Sequence, residues 1–472
     1  LEGVINHPNF LKAAYTTNFI DETPELFKFA RRRDRATRLL NFVGEVIVNG
    51  NDEVKGTKLP TRAAAPIVPS VPSGDPPGGS KQLFEALGPI KFSRWMLDQD
   101  RVLITDTTMR DAHQSLLATR IRTKDIVNIA AAYAHFLPEM FSVECWGGAT
   151  FDVAMRFLQE CPWERLHELR KRMPNILTQM LLRSSNGVGY TNYPDNVVRY
   201  LVQQAADAGM DLFRVFDSLN WVENMRIAMD AVIESGKLCE GSLCYTGDIS
   251  DPTRSKYDLA YYIKLGKELK NAGAHILGIK DMAGLCKPQA ARVLVTALKE
   301  TTGLPIHFHT HDTSGISAAS VLAAVEAGAD AVDAAMGSMS GLTSQPNLGA
   351  IVEALRYSHN DTGLDGTALR KMDNYWEQVR KLYTSFEADF RSGTADVYNH
   401  EIPGGQYTNL RQQARSMGID QQWPDVSRTY AQVNQMFGDI VKVTPTSKVV
   451  GDMTLMMITS NLKPEDIIDP KK

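Results

Sequence analysis

From about residue 100, short apolar runs rich in β-branched residues alternate with amphipathic stretches of helical period. The runs are Val102–Thr107, Phe141–Trp146, Ile176–Leu182, Leu212–Phe216, Ser242–Thr246, His275–Lys280, Pro305–His311 and Ala331–Met336. This alternation predicts parallel strands joined by right-handed helical crossovers. Eight units favour an α/β fold of the closed (β/α)₈ TIM-barrel type. The alternative is an open sheet, but no G-x-G-x-x-G turn follows an early run.

The regions on either side of these runs lack the alternation. Residues 61–80 contain five prolines and three glycines and predict a flexible linker, preceded by a small N-terminal segment, 1–60. We expect the barrel at 81–360 and a helical extension at 361–450, followed by a short terminal piece, 451–472. In the extension, helices are expected at Met372–Phe386 and Ala431–Ile440, with a sharp turn at 402–406.

Composition narrows the class of protein. Of 472 residues, 43% are hydrophobic and 22% are charged, which excludes wholesale disorder, collagen-like repeats and a coiled-coil rod. The net charge of −4 and the lack of a long apolar run favour neither nucleic-acid binding nor a membrane protein. Five cysteines without a C-x-x-C pair indicate a reducing compartment rather than a disulfide framework.

In such barrels, functional groups lie at the carboxyl ends of the strands. His309 and His311 alternate along the seventh run, so both side chains point to the same face. With Asp111 after the first run, two imidazoles and one carboxylate could hold Zn²⁺ or Mn²⁺ and leave a position open. The alternative is a hydrogen-bonded histidine pair without metal. His307 shares this face but lies deeper, and we expect it in the core.

Lys280 ends the sixth run close to this predicted site. A charged lysine would repel a divalent cation. It can lie there with a neutral amine, or after reaction with CO₂ to give an anionic carbamate that binds metal. The alternative is an ordinary ion pair between Lys280 and Asp281 or Asp217.

Eleven longer segments resemble one known family and keep its order and spacing. They are RDAHQSLLATR, ECWGGATFDVAMRFL, CPWERL, QMLLR, GYTNYPDNVV, FRVFDSLN, YTGDISDP, IKDMAGL, HFHTHDTSG, EIPGGQYTNL and VTPTSKVVGDM. Together they resemble the carboxyltransferase domain of the pyruvate carboxylase family. The segment YTTNFIDETPELFKFARRRDRATRLL is similar to the part of that family that precedes this domain. Two departures, Ser184-Ser185 for an expected Gly-Ala and VTPTSK for VTPSSK, leave the implied functional residues in place.

The resemblance implies roles for individual residues. It implies a metal site formed by Asp111, a carbamylated Lys280, His309 and His311. It implies a pyruvate and enolate site formed by Gln114, Arg183 and Arg110. It implies that Thr444 moves a proton between biotin and the pyruvate methyl group; the alternative is that Thr444 only caps a helix. It implies a biotin pocket lined by Asp152, Tyr190 and Ser447, and an allosteric segment containing Asp34 and Arg35.

The activity implied by the resemblance is transfer of a carboxyl group from carboxybiotin to the pyruvate enolate, giving oxaloacetate. The implied cofactors are biotin and a divalent metal. The implied partners are the biotin carboxylase and biotin carrier domains, acetyl-CoA as effector, and further copies of the chain in a dimer or tetramer. Terminal residues 451–472 would begin a return to the allosteric domain. The expected location is the bacterial cytoplasm, or the mitochondrial matrix in a eukaryote.

The chain begins at Leu1 and shows no ATP-grasp domain and no A-M-K-M biotinyl motif, so we expect a fragment of a longer enzyme. Two other functions are considered. An aldol-type condensing enzyme such as 2-isopropylmalate synthase shares the R-D-x-x-Q and H-x-H patterns but lacks the K-D-M-A-G and VTPTSK segments. A non-catalytic assembly scaffold would not require the intact set of candidate residues.

Overall fold

The computed structural model describes residues 2–27, 35–50, 65–387 and 391–468. Contacts divide the chain into two units, Leu1–Ala64 and Ala65–Lys472. The first unit contains the helices α1 (Glu2–Ile5), α2 (Pro8–Leu11) and α3 (Arg35–Asn49), with a 3₁₀ turn at Pro24–Phe27. Among the described residues of this unit, Phe19 is buried, and its ring contacts the rings of His7 and Phe10.

In the second unit, eight parallel strands close into a barrel in sequential order, which confirms the predicted fold class. The strands are β1 (Leu103–Asp106), β2 (Ser142–Gly147), β3 (Leu177–Leu182), β4 (Leu212–Phe216), β5 (Leu238–Cys244), β6 (Ile276–Asp281), β7 (Ile306–Thr310) and β8 (Ala331–Ala334). Every strand residue is buried, because helices cover the outside of the sheet and side chains fill its interior.

Helices precede, connect and follow these strands. They are α4 (Ser80–Leu97), α5 (His113–Leu117), α6 (Thr123–Phe136), α7 (Gly148–Val153), α8 (Pro162–Arg172), α9 (Asp195–Asp207), α10 (Val222–Glu234), α11 (Leu259–Asn271), α12 (Pro288–Thr302), α13 (Ser317–Glu326), α14 (Leu348–Leu355), α15 (Gly366–Leu382), α16 (Val397–His400), α17 (Gly404–Ser416), α18 (Trp423–Met436), α19 (Thr446–Thr459) and α20 (Pro464–Ile468). No helix of the described ranges is both long and apolar enough to span a bilayer.

Helix α4 closes the amino-terminal end of the barrel. Its buried Phe84, Phe92 and Met96 form one cluster with the first residues of several strands, among them Leu103 and Leu212. Because this end is filled by apolar side chains, the carboxyl ends of the strands remain as the place for a polar site.

The predicted fifth strand, Ser242–Thr246, was misplaced. The strand begins four residues earlier, at Leu238, and ends at Cys244. Glu240 interrupts the apolar pattern, which hid the first half of the strand. The structure compensates its charge inside the barrel: Oε1 of Glu240 lies 2.5 Å from Nε of Arg214, and Oε2 lies 2.7 Å from Nδ1 of His307. His307 is therefore a buried core residue, as predicted.

The two predicted helices of the extension begin earlier than expected. Helix α15 begins at Gly366, where Asp365 accepts a hydrogen bond from the backbone N–H of Thr367, and α18 begins at Trp423, with proline in its first turn. These start signals outweigh the apolar periodicity on which the prediction rested. The predicted turn at 402–406 is shorter than expected, because α17 already begins at Gly404 and only Ile402 and Pro403 lie outside the helix. Helices α17, α18 and α19 share a separate apolar core around Leu410, Tyr430 and Val450.

Candidate active site

A cavity of about 80 Å³ lies at the carboxyl ends of the strands, beneath the helical extension. Eight of the predicted site residues line it: Arg110, Asp111, Gln114, Arg183, Lys280, His311, Thr444 and Ser447. Residues 403, 405, 406 and 409, from the start of α17, cover the same cavity. The extension is held on the barrel by Thr408, whose hydroxyl donates to the carbonyl oxygen of Ser115 at 2.9 Å. The barrel and the extension together therefore enclose a small, polar volume.

Asp111, His309 and His311 form a cluster of three potential metal ligands. Their ligating atoms all lie within 4.8 Å of one another. Oδ2 of Asp111 is 3.4 Å from Nε2 of His309 and 3.3 Å from Nε2 of His311. The residues meet because β7 and β1 are separated in the ring only by β8.

The other ring nitrogens of the two histidines face oxygen acceptors. Nδ1 of His309 is 2.6 Å from Oδ2 of Asp333, and Nδ1 of His311 is 2.6 Å from the carbonyl oxygen of Thr343. We therefore assign the proton to Nδ1 in each ring, which leaves a lone pair on each Nε2. Nε2 of His309 is buried without a hydrogen-bond partner among the described residues. A buried lone pair beside a carboxylate fits a divalent cation better than a hydrogen-bonded histidine pair.

The protonation states also suit a metal. Burial lowers the pKa of His309 to about 3, so its imidazole is neutral at ordinary pH. Burial alone would raise the pKa of Asp111, but the positive charge of Arg110 is the largest contribution in the opposite direction, and that pKa stays well below its usual value. Nη1 of Arg110 lies 2.7 Å from Oδ1 of Asp111, which leaves Oδ2 toward the imidazoles. The cluster therefore presents one carboxylate and a neutral imidazole, the forms in which these groups bind metal.

Arg110 is the centre of a buried polar group beside the cluster. It pairs with Glu144 and donates from Nη1 to Oε1 of Gln114 at 3.1 Å. Gln345, in the loop after β8, donates from Nε2 to Oδ2 of Asp111 at 2.9 Å. Arg110 therefore orients Asp111 and Gln114 in addition to lining the cavity.

Lys280 lies beside His309, since the two residues are register partners on β6 and β7. Among the residues that the structure describes, its amine forms no hydrogen bond or ion pair. The alternative pairs with Asp281 and Asp217 are wrong: both carboxylates accept hydrogen bonds from backbone N–H groups of the loops that follow them. Burial lowers the pKa of the Lys280 amine, although Asp111 opposes the shift. A lowered pKa increases the fraction of neutral amine, and the neutral amine is the form that reacts with CO₂.

Arg183 reaches the cavity from the end of β3. Its Nη1 donates to the carbonyl oxygen of Gly189 at 3.1 Å, and its guanidinium lies 5.0 Å from the centre of the Tyr190 ring. Tyr190 is 43% exposed, and Asp152 pairs with Arg156 at 2.9 Å; neither residue lines the cavity. Of the three predicted biotin-pocket residues, the structure therefore places only Ser447 at the cavity itself.

Thr444 lines the cavity from the segment before α19. The alternative role as a helix cap is wrong, because α19 begins at Thr446 and Pro445 occupies the cap position. The hydroxyl that stabilises this turn belongs to Thr446, which donates to the carbonyl oxygen of Val443 at 2.6 Å. The Thr444 side chain is thus not committed to the helix end.

The two predicted allosteric residues belong to the first unit of the chain. Asp34 lies outside the described residues, and Arg35 begins α3 in the first unit. Sequence reasoning missed Asp333 and Gln345, which contact the metal-ligand cluster directly. Asp333 could have been found as the charged residue of a four-residue strand, Ala-Val-Asp-Ala. Gln345 lies in an irregular loop, and no pattern marks it.

Two family models match the chain. The model described as HMGL-like matches residues 196–375, and the model described as a conserved carboxylase domain matches residues 397–472. The chain is 53% identical to pyruvate carboxylase of Bacillus subtilis over 470 residues, which are 99% of this chain and 41% of that protein. It is 61% identical to the solved carboxyl transferase domain of Rhizobium etli pyruvate carboxylase, with a TM-score of 0.86 over 93% of this chain and 74% of that one. The chain belongs to the pyruvate carboxylase family.

Within this family, the match lies in the carboxyltransferase region. The structure of the Rhizobium etli domain with pyruvate is 62% identical, with a TM-score of 0.85 over 92% of this chain and 74% of that one. The chain spans about two fifths of the length of the curated relatives that it matches. The carboxylase model includes Thr444 and Ser447, so the family match extends over the helices that cover the cavity.

Proposed function

We propose that this chain transfers a carboxyl group from carboxybiotin to the enolate of pyruvate, giving oxaloacetate and biotin. The observation that carries the proposal is that the metal-ligand cluster of Asp111, His309 and His311 converges with Arg183 and Thr444 on one small cavity. A related domain solved with pyruvate supports pyruvate as the ligand of this cavity. Acceptance of a carboxyl group by pyruvate requires loss of a methyl proton, and the resulting negative charge needs stabilisation.

Asp111, His309 and His311 would hold the divalent metal, and a carbamylated Lys280 would be a fourth ligand. When bound, the metal supplies positive charge that stabilises negative charge near it. Both Zn²⁺ and Mn²⁺ accept this set of nitrogen and oxygen ligands. A carbamate on Lys280 also removes the repulsion between its ammonium and the metal.

Arg183 and Gln114 would bind pyruvate. The guanidinium donates in a fixed planar fork that suits a carboxylate or an enolate oxygen. The Gln114 carbonyl oxygen is already engaged by Arg110, so its amide N–H₂ is the group directed to substrate. Positioned donors of this kind are typically worth a factor of about 10²–10³ in rate.

The Thr444 hydroxyl would carry the proton between the pyruvate methyl group and biotin. A hydroxyl both donates and accepts, so it can pass on one proton while it takes another. Helices α17 and α19 cover the cavity and limit the access of water to the enolate. Ser447, which lines the cavity, would receive biotin together with Asp152 and Tyr190, which lie outside the cavity lining.

The wider context of the longer enzyme is part of the proposal. Biotin would be presented by a biotin carrier domain and loaded by a biotin carboxylase domain, and acetyl-CoA would act through the segment that contains Asp34 and Arg35. We assign residues 1–60 to that allosteric region, 61–80 to a linker and 81–360 to the barrel. Residues 361–450 complete the active site. We also propose a dimeric or tetrameric assembly, located in the cytoplasm of a bacterium or the mitochondrial matrix of a eukaryote.

The two alternative functions are not favoured. A condensing enzyme would need only the HMGL-like barrel, but the carboxylase-domain match covers the extension from residue 397 onward. A scaffold would not need a buried, unpartnered imidazole nitrogen beside a carboxylate.

The experiment measures the reverse half-reaction, because it needs neither ATP nor a carrier domain. We expect the metallated chain to release pyruvate and CO₂ from oxaloacetate in the presence of free biotin. Arg183→Ala should abolish this reaction while metal content stays unchanged. The matched control Arg199→Ala, which removes only an exposed pair with Glu234, should remain active. Pyruvate release at the background rate from folded, metal-loaded chain would contradict the proposal.

A further inference from the structure

Glu401 joins a barrel loop to the segment that carries Thr444. Its Oε1 lies 2.6 Å from Nη1 of Arg254, in the loop between β5 and α11. Its Oε2 lies 2.9 Å from Nζ of Lys442, two residues before Thr444. The Lys442 side chain is 1% exposed, and its other carboxylate partner, Asp439, lies farther away at 3.8 Å. Removal of the Glu401 charge would therefore leave a buried ammonium with only this longer pair. The three side chains therefore form a strong link across the rim of the cavity.

The same barrel loop holds this segment at a second point. The hydroxyl of Tyr257 donates to the carbonyl oxygen of Asp439 at 2.6 Å, and Nζ of Lys256 donates to the same oxygen at 2.6 Å. The loop after β5 thus holds residues 439–442 directly, at the Asp439 carbonyl oxygen, and indirectly, through the Glu401 pair with Lys442. Val443 and Thr444, which follow immediately, line the cavity.

The backbone of Glu401 supports a specific role for its side chain. Its φ is +53°, in the left-handed region that glycine and asparagine adopt most easily. A glutamate at this position makes the local backbone conformation less stable than glycine or asparagine would. The pKa of Glu401 is lowered despite its burial, because Lys442 and Arg254 favour the ionised form. The ion pairs thus stabilise a residue type that the backbone alone disfavours.

We propose that Glu401 is a positioning residue that holds Thr444 over the barrel mouth, acting through Lys442 and anchored by Arg254. Glu401 itself does not line the cavity. Its charge fixes the start of the 441–444 segment, and the segment then places the Thr444 hydroxyl. The catalytic part of this inference rests on the proposed function of Thr444, whereas the ordering of residues 439–447 does not.

The first test measures amide hydrogen exchange and needs no activity. Glu401→Gln keeps the size of the side chain and removes its charge. We expect exchange in residues 439–447 to become about tenfold faster, with exchange in the barrel strands unchanged. Arg254→Gln, a milder change at the more exposed end, should give a smaller effect at the same amides. The matched control Glu326→Gln removes an exposed pair with Arg292 between outer helices and should change nothing in this segment.

The second test asks whether the effect on turnover passes through Thr444. Glu401→Gln should lower kcat for biotin-dependent oxaloacetate decarboxylation about tenfold or more, with metal content and pyruvate affinity unchanged. In a Thr444→Ala background, the same substitution should cause no further loss, because the group it positions is gone.

Several outcomes would overturn the inference. Unchanged exchange in residues 439–447 of Glu401→Gln would show that the ion pair does not order this segment. Faster exchange throughout the barrel would show a general structural role instead. Equal losses of turnover with and without Thr444 would show that Glu401 acts elsewhere. If the unmodified chain is inactive, the proposed function fails, while the exchange experiment still decides whether Glu401 orders the segment.

Discussion

Oδ2 of Asp333 lies 2.6 Å from Nδ1 of His309, and the same carboxylate pairs with Arg214 in the barrel interior. Its Oδ1 lies 2.6 Å from Nε2 of His307. Asp333 is fully buried, and its pKa stays well below the usual value: burial alone would raise it, but Arg214 and His307 outweigh burial. A charged network inside the barrel therefore orients a residue of the candidate metal site, since the Asp333 carboxylate fixes the His309 tautomer.

This relationship predicts the effect of Asp333→Asn on metal binding. The amide cannot hold the His309 ring as an ionised carboxylate does, so we expect metal affinity to fall about 10–100-fold. Affinity is measured by competition with a chelator, alongside the melting temperature. Asp330→Asn is the matched control, because Asp330 lies next to the same strand but pairs with Lys299 at 2.8 Å. Equal affinities of wild type and Asp333→Asn would show that this contact does not tune the site.

Lys280→Ala should reduce both metal content and carboxyl transfer while the fold is retained. The amine has no ion-pair partner among the described residues, so its removal leaves no buried carboxylate unpaired. Metal analysis, circular dichroism and oxaloacetate decarboxylation check the three parts of this expectation. Lys287→Ala, which removes a partly exposed pair with Asp248, serves as the control. Full metal occupancy together with normal turnover would show that Lys280 is not a ligand.

Thr444→Ala should lose carboxyl transfer in both directions, by a factor of about 10²–10⁴, because positioned proton transfer contributes that much. Metal and pyruvate binding should persist. Thr444→Ser keeps the hydroxyl and should retain most of the activity. Since Thr444 does not cap α19, we expect little change in melting temperature. A Thr444→Ala variant that is destabilised but active would show that Thr444 has a structural role and does not carry the proton.

The buried carboxyl group of Asp106 should make the stability of the protein depend on pH. It is buried at the end of β1, where Tyr133 donates to Oδ2 at 2.7 Å and the backbone N–H of Thr108 donates to Oδ1 at 2.9 Å. Burial outweighs these hydrogen bonds and raises the pKa of Asp106 from 3.8 to about 6. Because the pKa is raised in the folded state, protonated Asp106 favours folding. Its contribution to the free energy of unfolding is fully present below pH 3.8 and is lost as the pH rises through 6.

Asp106→Asn removes this titration. Wild type loses this stability as the pH rises, whereas the variant does not. The free energy of unfolding of Asp106→Asn minus that of wild type should therefore increase by about 3 kcal/mol from pH 3.5 to pH 7. Urea unfolding of both proteins across this range measures the difference. A difference that does not vary with pH would show that Asp106 titrates alike in the folded and unfolded states.

The sequence by itself determined the features that depend on local periodicity. Eight apolar runs with helical connections predicted the closed barrel, since each strand and helix carries its own pattern. The alternation of His309 and His311 predicted that both face one side, and the position of Asp111 after the first run placed a carboxylate near them. The structure brings these three residues together. The family resemblance added Thr444, which no local pattern distinguishes from a helix cap.

Only the tertiary structure decided which residues support this site. Asp333 contacts His309 because β8 closes the ring next to β7, and Gln345 reaches Asp111 across 234 residues of chain. The link from Glu401 to Arg254 likewise spans 147 residues. Such contacts follow from barrel closure and from the docking of the helical extension. They leave no periodic trace in the sequence, because the partners are set by the geometry of the ring rather than by their neighbours along the chain.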